Sequence, residues 1–278
     1  MGHVRVVVAD EVGACYGVER ALDMVMRASG EGDTTFTLGP LIHNPRVMAD
    51  LSERGVRVAD VPEDAAGSTL VLRAHGVSPD EETRAKAVCA RVLDATCPFV
   101  KRVHLAAERL AREGRQVVIA GEAGHPEVEG THGHVPSALV IGSADEVASA
   151  PLEGRVGVVM QTTLARPTLD AIVSALRERV DDVEVVDTIC SATAGHQAAA
   201  LRLAAEADVM VVVGGKNSAN TRHLAEICAP LCPTHHIEGE DELDPAWFEG
   251  ATTVGITAGA STPASHIEAV RAAIEGMV

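Results

Sequence analysis

Short apolar, β-branched runs alternate along the chain with longer Ala-, Leu- and Arg-rich stretches whose apolar positions recur at helical spacing. In the first third this pattern predicts helices over 17–29, 44–54 and 79–88 and strands over 34–38, 69–73 and 91–94. The middle third reads as helices over 98–113 and 166–179 and strands over 116–120, 155–160 and 183–187, with an insertion at about Gly130 to Ala150. The last third gives helices over 196–206, 219–228 and 263–275 and strands over 209–213 and 252–256. Strict alternation of strands and helices predicts an α/β protein with mainly parallel sheets and right-handed crossovers, whose ligands bind beyond the carboxyl ends of the strands.

The pattern repeats three times. Strand-like runs at Val4 to Ala9, Arg91 to Ala95 and Val183 to Thr188 lead into Cys15, Cys97 and Cys190. Twenty-eight residues after each cysteine stands His43, His125 or Ser218, each in a polar loop that follows an apolar run ending in glycine. A second polar loop recurs later in each copy: Ala74-His75-Gly76, Gln161-Thr162-Thr163 and Thr257-Ala258-Gly259-Ala260-Ser261. Self-similarity on this scale implies three copies of one α/β unit, with domain edges at the cysteines: 15–96, 97–189 and 190–278. Copies packed around a pseudo-threefold axis would bring the three thiols to the centre, ringed by the polar loops.

Equivalent positions mark Cys15, Cys97 and Cys190 as functional, whereas Cys89, Cys228 and Cys232 read as small core residues. Three thiolates without an evident fourth suggest an iron–sulfur cluster with one iron left unligated by protein, and a three-sulfur zinc site is the competitor. His43, His75 and His125 lie at strand ends beside Gly or Pro turns. Ser218, Asn220 and Ser261 precede or open helices, where hydroxyls, an amide and backbone N–H groups cap the helix or cradle phosphate oxygens. The Gly214-Gly215-Lys216-Asn217 loop is not a Walker loop, because no Ser or Thr follows the lysine. Glu127, two residues from His125, is a candidate proton donor if it faces the thiol centre from a desolvated cleft. His132-Gly133-His134 is a possible metal pair without partner acids at helical spacing.

Composition narrows the partners. Aromatic residues are only 2% of the chain, so platforms for stacked bases or flavin rings are scarce, and Val, Ala, Leu and Ile must fill the core. A formal net charge of −17 argues against non-specific nucleic-acid binding and against an anionic membrane surface. Apolar runs are too short to span a bilayer, and the amino terminus lacks the apolar length of a secretion signal, so a cytoplasmic location is expected. Thiols stay reduced there, which favours metal ligation, catalysis or core packing over disulfides.

Through Gly17-Val18-Glu19-Arg20-Ala21, His43-Asn44, Ala74-His75-Gly76-Val77, Asp94-Ala95-Thr96-Cys97-Pro98, His125-Pro126-Glu127-Val128-Glu129-Gly130-Thr131, Gln161-Thr162-Thr163-Leu164, Thr188-Ile189-Cys190-Ser191-Ala192-Thr193, Lys216-Asn217-Ser218 and Thr257-Ala258-Gly259-Ala260-Ser261, the chain resembles the 4-hydroxy-3-methylbut-2-enyl diphosphate reductases. These enzymes close the methylerythritol phosphate route to isoprenoids. The resemblance implies a trefoil of three α/β domains around a 4Fe-4S cluster bound by Cys15, Cys97 and Cys190, with the N-terminal strand in 1–14 completing the third domain. It assigns the diphosphate to His43, His75, Ser218, Asn220 and Ser261, and the substrate hydroxyl and its protons to Glu127, His125 and Thr162. The implied reaction is reductive dehydroxylation of the allylic diphosphate, with reduced ferredoxin or flavodoxin as electron donor and no bound nicotinamide. Departures from the family are Ala14 where Phe is usual, His196 where Arg is usual, Ala219 in place of a second serine, and a short C-terminus. They leave open a paralogue acting on another allylic substrate. A zinc hydrolase using His125, Glu127, His132 and His134 and a non-catalytic iron–sulfur sensor are the readings from other classes.

Overall fold

The computed structural model describes residues 4–32 and 34–278. It contains three four-stranded sheets, and every strand pair in them is parallel. By internal contacts the chain divides into two compact units, one of Met1–Val18, His43–Asp50 and Ser191–Val278 and one of Glu19–Ile42 and Leu51–Cys190. The first holds one sheet and the second holds two.

Sheet order is the same in all three. In the first unit β1 (Arg5–Val8), β12 (Thr253–Ala258), β10 (Val209–Val213) and β11 (Thr234–Ile237) lie side by side in that order. The second unit repeats it as β5 (Arg91–Asp94), β4 (Thr69–Leu72), β2 (Thr35–Leu38) and β3 (Arg57–Ala59), and again as β9 (Val183–Val185), β8 (Val156–Met160), β6 (Gln116–Ala120) and β7 (Leu139–Ile141). Each sheet therefore runs from the strand ahead of a repeat cysteine, through the strand before the second polar loop and the strand before the first, to a short edge strand. The inner strands β4, β8, β10 and β12 are buried along their whole length, which is why they read as unbroken apolar runs. The strand expected ahead of Cys15 is β1; the first three residues of the 1–14 segment lie outside the described residues.

Helices cover the sheets: α1 (Tyr16–Gly30), α2 (Pro45–Glu53), α3 (Pro79–Val88), α4 (Pro98–Arg112), α5 (Pro126–His134), α6 (Ala144–Ser149), α7 (Arg166–Arg179), α8 (Ser191–Ala204), α9 (Ala219–Cys228) and α10 (Ala264–Met277). Several start on proline, whose fixed φ suits the first helical turn and keeps the preceding residue extended. Cys97 and His125 are such residues, at φ/ψ of −59/135 and −70/132. The sequence expectation of an insertion at Gly130–Ala150 is wrong: this stretch holds the end of α5, then β7 and α6, the counterpart of α2–β3 and α9–β11 in the other copies. Helix α8 starts at Ser191 rather than 196, so it follows Cys190 directly.

Each sheet packs against its own apolar cluster. Around β6 and β8 this includes Val118, Val158, Met160, Ile172 and Leu176, and around β10 and β12 Val211, Ile256, Val270 and Ile274. On β11 the ring of His235 stacks at 3.9 Å, nearly parallel, on Trp247, which sits in the single turn Pro245–Phe248. Among the described residues no helix is long and apolar enough to cross a membrane. Leu176 of α7 is fully buried, so Leu176→Ala should cost about 2–5 kcal/mol of unfolding free energy. Leu105→Ala on the exposed face of α4 should stay within about 0.5 kcal/mol, and denaturant titration of both variants measures the difference.

Candidate active site

All three repeat cysteines are fixed by one kind of bond. The backbone N–H of Cys15 donates to Ala260 O at 3.1 Å, that of Cys97 to Ala74 O at 2.9 Å and that of Cys190 to Thr162 O at 3.0 Å. Each acceptor belongs to the second polar loop of the preceding copy, the third copy standing before the first, because the strand that leads into each cysteine pairs with the strand before that loop. Two of the turns carry a further device. The Asp94 carboxylate accepts the Thr96 N–H at 2.9 Å and the Asp187 carboxylate the Ile189 N–H at 3.1 Å, and each is paired with a cation, Lys101 at 2.5 Å and Arg166 at 2.7 Å. The Arg20 guanidinium donates to Asp94 O and Thr96 O at 3.2 and 3.3 Å, tying α1 to the turn before Cys97. The sequence signal for this device is Asp-x-x-Cys, which occurs at both Cys97 and Cys190.

Within the second unit, Glu127 and Thr162 come together. Glu127 Oε1 accepts the Thr162 N–H at 2.6 Å, and Oε2 accepts the Thr162 hydroxyl at 2.8 Å. The carboxyl is 3% exposed, and burial pushes its pKa up to about 7 although both bonds from Thr162 oppose the shift. No cation contributes. His125 caps α5, its Nδ1 accepting the Glu127 N–H at 3.2 Å, and its ring meets that of His75 edge-on at 5.7 Å. The His75 turn reverses at Gly76, with φ +80, where a Cβ would lie 2.7 Å from the His104 ring. His104 is buried and held neutral, its pKa lowered to about 3 first by burial and then by His134, which stacks on it at 4.1 Å. His134 Nδ1 is taken by Glu108 at 2.7 Å, so it is committed to a structural network rather than paired with His132 around an ion.

The first unit gathers most of the residues expected at the diphosphate. Ser261 Oγ donates to His43 O at 3.0 Å, and Asn44 Nδ2 donates to Ser261 O at 2.9 Å, which ties the two loops together. Asn44 also caps α2 through Val47 N–H and is 4% exposed. Ser218 caps α9, accepting from Thr221 N–H at 3.3 Å. Asn220, the second residue of α9, is not matched in this way. It is 4% exposed, and among the described residues both its amide O and N lack a hydrogen-bond partner. A buried primary amide left unmatched on both atoms is costly unless something fills it.

The LytB protein family model matches residues 6–275. The chain belongs to the LytB protein family. It is 46% identical over 269 residues to the 4-hydroxy-3-methylbut-2-enyl diphosphate reductase of Pelobacter propionicus, covering 96% of each chain. It is 43% identical over 276 residues to that of Geotalea daltonii, covering 99% of this chain and 98% of that one. Of solved structures, an (E)-4-hydroxy-3-methyl-but-2-enyl diphosphate reductase described as the terminal enzyme of the non-mevalonate pathway matches at 40% identity with a TM-score of 0.73, covering 98% and 99% of the two chains. The reductase from Plasmodium falciparum superposes with a TM-score of 0.91 at 26% identity, covering 96% of this chain and 86% of that one.

None of the six cysteines is in a disulfide. Cys228 is fully buried with its thiol pushed up to about 11 by burial, and Cys89 points its sulfur at Pro62 O, so both have core roles. Among the described residues no group of three or more His, Cys, Asp or Glu has the arrangement of a single-ion site. A four-iron cluster asks for something different, because its cysteine sulfurs bind separate irons and stand farther apart than the ligands of one ion. Three thiols on turns held by the same backbone bond suit that donor set.

Burial of Glu127 makes stability depend on pH. Its carboxyl holds a proton in the fold up to about 7 that the unfolded chain releases above 4.5, so its contribution is complete below 4.5 and is lost as pH rises through 7. Glu127→Gln keeps the shape and cannot ionise. Relative to it, the wild type should lose on the order of 3 kcal/mol between those limits, read from denaturant curves at pH 4.5 to 8.

Proposed function

We propose that this chain catalyses the reaction named for its relatives, reductive dehydroxylation of 4-hydroxy-3-methylbut-2-enyl diphosphate to isopentenyl and dimethylallyl diphosphate. The observation that carries the proposal is the buried Glu127 carboxyl, protonated near neutrality and bonded to Thr162 at 2.6 and 2.8 Å. The overall change replaces C–OH by C–H and releases water, consuming two electrons and two protons. Breaking the C–O bond needs a proton on the departing oxygen, and a neutral carboxyl can give one.

Thr162 makes that proton mobile. A hydroxyl both donates and accepts, so Thr162 can turn to accept from protonated Glu127 while presenting its own hydrogen to the substrate oxygen. The charge left on Glu127 after transfer is met by two donors already in place. His125, which caps the same helix turn, orients Glu127 and stands beside His75. Asn220 has an unmatched donor and an unmatched acceptor, and with the hydroxyls of Ser218 and Ser261 and the rings of His43 and His75 it would hold the diphosphate with few fixed charges. His196, where relatives of the resembled family carry Arg, is buried and kept from charging by burial, with Glu11 opposing, so it adds no positive charge. Cys15, Cys97 and Cys190 would hold a 4Fe-4S cluster, which supplies electrons one at a time and a Lewis-acidic iron. Ferredoxin or flavodoxin would reload it in the cytoplasm. On this reading the segments 15–96, 97–189 and 190–278, the last joined by 1–14, are the three domains of a trefoil.

Cys15→Ser, Cys97→Ser and Cys190→Ser should each abolish or strongly reduce iron and sulfide content, while Cys89→Ser keeps it. Equal content in all four variants removes the cluster assignment. Glu127→Gln should lower kcat by about 10²–10⁴ in an anaerobic assay with a chemical reductant, leaving substrate affinity largely intact. Near-normal turnover returns Glu127 to a structural role. Wild type with an intact cluster and negligible turnover of this substrate points to a different allylic compound.

A further inference from the structure

Two cations flank the loops assigned to the diphosphate in the first unit: Lys216, two residues before Ser218, and Arg46, three residues after His43. Neither is left to face a ligand. Both are held by the acidic turn between β11 and Trp247, Glu238-Gly239-Glu240-Asp241-Glu242. Glu238 Oε1 accepts the backbone N–H of Lys216 at 2.7 Å, Glu242 Oε2 pairs with Lys216 Nζ, and Glu242 Oε1 accepts the Glu238 N–H at 3.0 Å. On the other side the Arg46 guanidinium lies so close over Gly239 that a Cβ there would collide with it, and it pairs with Asp241 and, at 3.6 Å, with Glu240. The two clasped loops also touch each other, since a Cβ on Gly215 would lie 2.7 Å from His43 O and 3.0 Å from Pro45 Cδ.

We infer that Glu238 and Glu242 are positioning residues for substrate binding, forming with Arg46 and Lys216 a two-point clasp that sets the spacing of the His43 and Ser218 loops. The inference rests on the diphosphate reading above. Isolated surface ion pairs contribute little, and Lys216 and Glu242 are partly exposed. The clasp differs in that one of its bonds takes a backbone N–H of the loop itself, so the loop cannot move without breaking it. A second consequence is electrostatic. With Lys216 and Arg46 turned to carboxylates, recognition falls to hydroxyls, the Asn220 amide and imidazoles, which bind a diphosphate and release the product diphosphate without a strong fixed charge opposing departure.

The test uses the holoenzyme with wild type, Glu238→Ala, Glu242→Gln, Lys216→Met, Lys216→Arg and the Lys216→Met/Glu242→Gln double variant. KM and kcat come from the anaerobic assay, and calorimetry gives the affinity for inorganic pyrophosphate. Glu238→Ala, Glu242→Gln and Lys216→Met should each raise KM and the pyrophosphate Kd by about threefold to tenfold, the loss of one ordinary hydrogen bond, with kcat changed less than about twofold. The double variant should be no worse than the worse single one, because both changes break the same contact, and Lys216→Arg should recover most of the affinity. If Lys216→Met weakens binding while Glu238→Ala and Glu242→Gln leave it unchanged or tighten it, Lys216 acts on the substrate and the clasp is wrong. Wild type that binds pyrophosphate with every variant unchanged also overturns the clasp alone. Wild type that neither binds pyrophosphate nor turns over the substrate overturns the diphosphate reading, and the clasp with it.

Discussion

In the loops beyond the carboxyl edge of a parallel sheet a backbone N–H has no ladder partner, and where it is buried it must find another. Here the answer is the same three times: the cysteine that follows the outermost strand donates to the carbonyl of the loop leaving the neighbouring strand, at 3.1, 2.9 and 3.0 Å. The thiol is thereby locked to the loop that carries the polar side chains. Around Cys190 the consequence is direct, because the acceptor is Thr162, the residue that also binds Glu127. A shift of that strand end would move the thiol, the hydroxyl and the carboxyl together. Geometry that would otherwise need many separate contacts follows from one unsatisfied backbone group and the strand order.

The electrostatic design is sparing. The chain carries a formal net charge of −17, and its buried carboxyl is left with neutral donors only. Had an arginine stood beside Glu127, the pKa would fall and the proton would be gone at neutral pH. Cations nearer the surface are instead consumed in pairs, Lys101 with Asp94, Arg166 with Asp187, and Lys216 and Arg46 with the acidic turn. The buried Glu127 is thus left without a cation, while these cations are each paired with a carboxylate.

Much of this was legible in the sequence because the repeat is carried by chemistry. Thiols and loops at a constant offset stand out where apolar runs alone do not, and the start of α4 at Pro98 was read directly, whereas helix α5 was not expected. The edge strands β3, β7 and β11 did not stand out. They are three or four residues long, two of them include charged or imidazole side chains, and so short a run has no measurable period. Missing β7 turned an ordinary part of the repeat into an apparent insertion. Contacts such as Arg46 with Asp241 join residues 195 apart in sequence, and no local pattern announces them. Nor did the sequence distinguish Asn220, buried and unmatched, from Asn44, which is buried and fully used.

Scarcity of aromatic residues has an optical consequence. The chain has one tryptophan and one tyrosine, and the tryptophan lies face to face on the His235 ring at 3.9 Å. His235 precedes the acidic turn and Trp247 follows it, so the stacked pair brackets that segment. Indole emission depends on the ring stacked against it, and here burial lowers the pKa of the imidazole, with Asp244 opposing. The intrinsic fluorescence of the whole protein is therefore a local signal. It reports on one strand edge and the turn that leaves it, and is nearly blind to the two sheets of the other unit.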